Sequence, residues 1–229
     1  MPMSEEQLSR IYAYRFSEVD AEKRAAVWRE INGWFAASGI VRPDDVVADI
    51  ACGNGEFISS VTNETRYAID KVDEKRSTID DGVHFVSKGA ENLAASDFTA
   101  GTPTLFFISN FLEHLEDKVD IVNLFECLAT ILETGGRIVV MGPNISHVKG
   151  EYWDFIDHIL PLTEKAVEEA LASAELKIRR SHDRFLPYSF KSGLPVSAGL
   201  VRAYLRFPPA WKVLGKQFLV VGEKQGGEK

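Results

Sequence analysis

Two spacings of apolar residues divide this chain. Between residues 5 and 36 the apolar positions Ala25, Val27, Trp28, Ile31, Trp34 and Phe35 recur at helical spacing, which predicts an amphipathic helical cap over roughly residues 1–40. From Val46 onward the pattern changes to short apolar runs closed by turn residues. These runs predict strands at Val46–Ile50, Arg66–Ile69, Leu105–Ile108, Ile138–Met141, Leu176–Arg180 and Phe218–Gly222, with a helix over Val119–Leu132 between two of them. Strands alternating with helices imply right-handed crossovers and a mostly parallel sheet covered on both faces. In such a sheet, ligands bind at the carboxyl ends of the strands.

The first strand ends in the most informative segment of the chain, Val46 to Phe57. An apolar run closes on Asp49 and turns through Ala51-Cys52-Gly53-Asn54-Gly55 into helix-like sequence. Glycine permits positive φ and close approach of backbone to a ligand, so Gly53 and Gly55 point to main chain lying against a bound molecule; a turn of purely structural use is the alternative. The next strand ends at Asp70, about where dinucleotide-type folds place the acid that accepts ribose hydroxyls. Ala51 stands where a G-x-G-x-x-G pattern has its first glycine, and bulky Phe57 follows, so a nicotinamide or flavin site is poorly supported.

Size and charge narrow the function. At 229 residues and 45% hydrophobic, the chain can bury one substantial core, and one domain is expected. A formal charge of −8 works against a surface for nucleic-acid phosphates. Cys52 and Cys127 make no disulfide framework and have no metal-ligand spacing. The first residues lack a signal pattern, and no apolar run reaches membrane-spanning length, so a cytoplasmic location is expected.

Taken in order, the glycine turn, the acidic strand end, Asn110-Phe111-Leu112-Glu113-His114-Leu115 and Glu133-Thr134-Gly135-Gly136-Arg137 resemble the successive motifs of the class I S-adenosylmethionine-dependent methyltransferases. The resemblance is firm over residues 41–142. It implies a Rossmann-like α/β fold with seven strands, one of them antiparallel, and helices on both faces. It also implies S-adenosyl-L-methionine as cofactor, with S-adenosyl-L-homocysteine as product, held by Asp49, Ala51, Gly53, Gly55, Asp70, Lys71, Ala90, Glu91, Asn110 and Leu112. The family often places an acid for the adenine amino group where this chain has Gly89, in Lys88-Gly89-Ala90-Glu91-Asn92-Leu93. Either backbone at Gly89 and Ala90 meets adenine, or Glu91 substitutes. Nucleic-acid amino methyltransferases of the family carry [DN]-P-P-[YF] after strand four, a motif that Asn110-Phe111-Leu112-Glu113 does not match.

Residues 143–229 hold the last two strands and two long excursions, which read as a lid over the sheet edge. The run Tyr152-Trp153-Asp154-Phe155-Ile156-Asp157-His158, with the later Phe185-Leu186-Pro187-Tyr188, is similar to a bacterial subgroup of small class I methyltransferases. Members of that subgroup tend to accompany glycosyltransferase and polysaccharide genes, which implies a small-molecule, sugar or glycoconjugate hydroxyl as acceptor. An alcohol must lose its proton on methylation, and histidine titrates near neutrality, which makes His158 the candidate base. Asp154, four residues earlier, would face it on a helix, and Asp157 adjoins it. Arg15 in the cap is a candidate grip for the cofactor carboxylate or an acidic substrate. The Asp154, Asp157 and His158 group offers oxygen-rich ligands for a cation but no established spacing, so no metal is assigned. Methylation of a small amine, or a cofactor-binding partner protein without activity, are the other readings. Oligomeric state is not legible.

Overall fold

The structure, a computed structural model, describes residues 5–16, 21–188 and 197–226. Seven strands form one sheet: β1 (Val47–Ile50), β2 (Arg66–Asp70), β3 (His84–Ser87), β4 (Leu105–Ser109), β5 (Arg137–Pro143), β6 (Leu176–His182) and β7 (Gln217–Lys224), in the order β3-β2-β1-β4-β5-β7-β6. All neighbouring pairs are parallel except those of β7, which runs antiparallel to β5 and β6. This is the seven-stranded, mostly parallel sheet expected.

Period-two alternation sends neighbouring side chains to opposite faces and builds two cores. On one face Ala48, Ile50, Phe106, Ile108, Ile138 and Val140 pack with Ile121, Leu124, Phe125 and Leu128 of α4 (Lys118–Ile131) and with Val167 and Leu171 of α6 (Glu164–Ser173). On the other, Val47, Ala68, Phe107, Val139 and Met141 meet Val27, Ile31 and Phe35 of α2 (Ala21–Ala37), together with Phe57 of α3 (Glu56–Ser60). Aromatic contacts lock the second layer. Phe57 stacks on Phe107 with ring centroids 3.7 Å apart, and Trp28 meets both rings edge-on. Helix starts follow their caps: the Asp117 carboxylate accepts the Val119 N–H to open α4, and the Thr163 hydroxyl accepts that of Ala166 to open α6.

The helical pattern of residues 5–36 resolves into α1 (Glu5–Phe16) and α2, and residues 17–20 between them lie outside the described residues. β3 has no apolar run to announce it, because it is an edge strand: His84 and Ser87 are exposed, while Phe85 and Val86 are half-buried. Arg137, the last residue of the Gly-Gly-Arg turn, is 2% exposed and ion-paired with Asp45; it also donates to the Ile40 carbonyl at 2.9 Å. That motif therefore pins the exit of the cap to the start of β5.

Strand order reverses between β1 and β4, with β2 and β3 on one side and β5 to β7 on the other. A crevice opens at such a switch point, beyond the strand carboxyl ends. The segment after β5 folds over this edge as α5 (Ile145–Val148), a 3₁₀ helix at Lys149–Asp154, and an extended stretch back to α6. It is strapped to the loop after β4: the Glu113 carbonyl accepts the N–H groups of Ile159 at 2.7 Å and Leu160 at 3.1 Å. The excursion before β7 contains α7 (Ala198–Leu205) and α8 (Pro208–Leu214); its residues 189–196 are outside the described set. Among the described residues, no helix is long and apolar enough to cross a membrane.

Candidate active site

The glycine turn uses its permissive backbone. Ala51, Gly53 and Gly55 take φ of 53°, 56° and 74°, winding the chain tightly from β1 into α3. At Gly55 an added Cβ would run into the Ile79 side chain, whereas at Gly53 it would meet nothing within 4 Å. Gly53 thus turns a bare, open stretch of backbone outward. The Asp70 carboxylate at the end of β2 holds this loop, accepting the Gly53 N–H with one oxygen and the Val72 N–H with the other, both at 3.0 Å.

Asp49 lies beneath the turn, only 4% exposed. Burial pushes its carboxyl well above the usual range, and the charges of Glu56 and Asp70 add to the effect, while the Ile58 backbone N–H opposes it. Glu56 is itself 3.3 Å from Arg24, and Lys75 donates to the Asn54 side-chain oxygen Oδ1 at 2.8 Å. Lys71 is exposed. Farther along the edge, Ala90 is buried and Glu91 exposed on the turn Ala90–Asn92. The Glu91 carboxylate folds back over Gly89, into the space that a side chain on Gly89 would enter. Asn110, with φ of 49°, directly follows β4, and buried Leu112 comes two residues later.

A second cluster forms where the loop after β4 meets the segment after β5. His158 is 9% exposed, its ring stacked on Phe155 at 4.9 Å and set edge-on to His114 at 5.0 Å. The Tyr188 hydroxyl lies 3.3 Å from its Nδ1. Burial holds the His158 imidazole down at about 4; the charges of His114 and Arg15 act in the same direction, and Asp157 opposes them. At neutral pH this ring is therefore uncharged and a weak proton acceptor. The Glu113 carboxyl, 3% exposed, is pushed up by burial against the pull of His114. Ligand atoms of Glu113, His114 and His158 all lie within 4.8 Å of one another.

Asp157 anchors the cluster. Its carboxylate pairs with Arg15, whose guanidinium carbon also sits 4.6 Å from the centroid of the Phe155 ring. The Asp157 carbonyl oxygen is 2.9 Å from Nδ1 of His114, so that nitrogen carries a proton and donates. Burial would raise the Asp157 carboxyl, yet the Arg15 hydrogen bond and the charges of His114 and Arg15 leave it below its ordinary value.

Several expectations change in detail. Asp154 is not brought to His158. The 3₁₀ helix ends at Asp154 and Phe155 is extended, so the i, i+4 facing of an α-helix does not arise, and Asp154 is exposed. His158 meets Tyr188 instead. Arg15 joins Asp157 at the post-β5 segment, where the sequence had offered it to either cofactor or substrate. Glu113 and His114 were not foreseen as site members. Their signal was the adjacent acid and imidazole directly after a strand end, which the apolar pattern leaves unweighted.

No protein-family model and no curated protein matches the chain. Solved structures do. A SAM-dependent methyltransferase from Archaeoglobus fulgidus is 16% identical, with a TM-score of 0.65 over 94% of this chain and 99% of that one. A protein from Thermotoga maritima described as a possible histamine N-methyltransferase is 14% identical, with a TM-score of 0.63 over 96% and 97%. An O-methyltransferase family protein from Burkholderia thailandensis is 15% identical, with a TM-score of 0.54 over 97% of this chain but 57% of that one. The shared element is the fold, the Rossmann-like class I methyltransferase fold.

Proposed function

We propose that the chain is an S-adenosylmethionine-dependent methyltransferase acting on an oxygen of a small or glycan-type acceptor. The carrying observation is the adjacency of two built features at the switch point of the sheet. An open glycine turn clamped by Asp70 lies at β1 and β2, and a buried His–Glu–Tyr cluster lies beyond the end of β4.

The residues fit the cofactor. Gly53 leaves open space where a side chain would stand, and the acids Asp49, Asp70 and Glu56 gather beside it, an acceptor set suited to a cationic ligand bearing ribose hydroxyls. Each Asp70 oxygen spends one lone pair on a loop amide and keeps another for a ribose hydroxyl. Ala90 and Glu91 would meet the adenine edge, and Asn110 and Leu112 would line the floor at β4. When bound, S-adenosyl-L-methionine supplies a methyl group activated by its sulfonium.

On the acceptor side the chain must align a nucleophile and dispose of its proton. The segment after β5 is held to the loop after β4 through the Glu113 carbonyl, and its Tyr152 hydroxyl ties it to itself by donating to the Leu160 carbonyl at 2.6 Å. His158 is the neutral group positioned to receive or share the acceptor proton, with Tyr188 at its Nδ1. Asp157 acts through His114 and Arg15 as a positioning residue. The expected result is that a folded His158→Ala variant turns over S-adenosyl-L-methionine at least ~10²-fold more slowly with an alcohol acceptor, while S-adenosyl-L-homocysteine affinity stays near wild type. A near-wild-type rate would remove the cluster from the reaction. One observation favours a second reading, methylation of an amine: an imidazole held at about 4 is a weak base, and an amine that is already uncharged needs none.

A further inference from the structure

We infer that Glu113, His114 and His158 form a binding site for one divalent first-row transition ion, with room for an oxygen of the acceptor. The inference takes its use from the methyltransferase reading but is testable without it. Three side chains of ligating type converge from two separate segments: Glu113 and His114 from the loop after β4, His158 from the segment after β5. Their ligand atoms lie within 4.8 Å of one another in a buried setting. A tetrahedral ion with bonds of about 2.1 Å holds its ligands about 3.4 Å apart, so modest rotamer adjustments close the site.

A second, independent observation points to a cation. Metal-bound histidines commonly donate their other ring nitrogen to a carbonyl or carboxylate, which fixes the tautomer and turns the lone pair inward. His114 is held in this way: its Nδ1 donates to the Asp157 carbonyl at 2.9 Å and lies 3.5 Å from the Asp157 Oδ2. The lone pair is therefore on Nε2. Asp157 is 3% exposed, and its Oδ2 has no hydrogen-bond partner among the described residues. A buried carboxylate oxygen in that state is costly unless positive charge stands near it. Arg15 pairs with the other oxygen, Oδ1.

Ligand chemistry selects the ion class. Two imidazoles and one carboxylate suit Mn²⁺, Fe²⁺, Co²⁺, Ni²⁺ or Zn²⁺ better than Mg²⁺ or Ca²⁺, which prefer all-oxygen shells. Three protein ligands also leave positions for an acceptor hydroxyl or a vicinal diol, as in catalytic sites generally. Such an ion, when bound, would lower the pKa of a hydroxyl placed on it and so ease loss of its proton to solvent. Glu113 and His114 directly follow Asn110 and Leu112, the residues that the methyltransferase reading assigns to the cofactor.

The test uses the full chain, stripped with a chelator and dialysed, titrated with Co²⁺ and followed by calorimetry and visible ligand-field absorption. One equivalent should bind with new visible bands, and Glu113→Gln, His114→Gln and His158→Gln should each weaken binding at least ~10-fold; Asp157→Asn, outside the ligand set, should cost ~10–100-fold. Melting curves identify the variants that fold, and the wild-type titration stands whether or not they do. Absence of stoichiometric binding to the wild type, or equal affinity in folded ligand variants, overturns the inference. S-adenosyl-L-homocysteine is titrated into the same stripped protein. Its binding without Co²⁺ binding overturns the metal site alone, whereas Co²⁺ binding without it keeps the metal site and removes the methyltransferase reading.

Discussion

Replacing Asp70 with alanine separates the two tasks assigned to one carboxylate. In the protein without ligand, its oxygens accept the Gly53 and Val72 N–H groups at 3.0 Å. Losing both in a half-exposed loop costs about 1–2 kcal/mol, and for a chain of this size that lowers Tm by roughly 2–8 °C. The second task is to accept ribose hydroxyls. Hydrogen bonds to a charged group contribute about 1.5–3 kcal/mol, so S-adenosyl-L-homocysteine should bind roughly 10- to 150-fold more weakly. Isothermal calorimetry gives the affinity, and a melting curve gives the stability of the same sample. Asp70→Asn should fall between wild type and alanine, because the amide keeps one acceptor oxygen but turns a donor toward one of the two N–H groups. A folded Asp70→Ala protein with wild-type affinity would refute the placement of the ribose at β2.

Glu91→Gln should weaken S-adenosyl-L-homocysteine about 5- to 10-fold, since its carboxylate occupies the space above Gly89; unchanged affinity by calorimetry would return adenine recognition to the Ala90 backbone. Arg137→Met should cost about 3 kcal/mol in urea unfolding, because it strands buried Asp45, which keeps only the Thr104 hydroxyl and the Arg42 N–H; a loss below about 1 kcal/mol would contradict a structural role for the Gly-Gly-Arg motif. Burial, and then the charge of Arg180, lower the His182 pKa from its ordinary value near 6.5, so folding favours the neutral ring. The stability this confers is complete above the unfolded value and is lost as pH falls through the folded one. Accordingly His182→Gln should lose less Tm than wild type between pH 7 and pH 5, and parallel curves would show that the ring is not destabilised by protonation.

Legibility followed how local each signal is. The strands β1, β2, β4 and β5 are continuous apolar runs because they are covered on both faces, and the glycine turn announces itself through residues that alone tolerate positive φ without strain. β3 gave no apolar run because an edge strand buries little. The glycine turn and the acid that holds it, Asp70, lie within about twenty positions of Asp49, so that spacing could be read directly. The cluster around His158 is not local. Asp157 meets Arg15 across 142 positions and His114 across 43, and His158 meets Tyr188 across 30. No periodicity encodes such contacts. The sequence singled out His158 and Asp157 by residue type, but paired His158 with Asp154 by assuming an α-helix where a 3₁₀ turn and an extended residue stand. The partners that matter, Glu113 and His114, had a place in the motif but no visible role until the segment after β5 folded onto them.

Methyl transfer to oxygen can be followed by incubating the wild-type chain with methyl-labelled S-adenosyl-L-methionine and a small-molecule and glycan extract in the presence of Mn²⁺, then locating the label by nuclear magnetic resonance. A labelled product whose methyl carbon is bonded to oxygen is expected, formed with S-adenosyl-L-homocysteine and lost in His158→Ala. A labelled methyl on nitrogen would contradict the oxygen acceptor, and a chain that binds S-adenosyl-L-homocysteine yet labels nothing in any extract would contradict the enzyme itself.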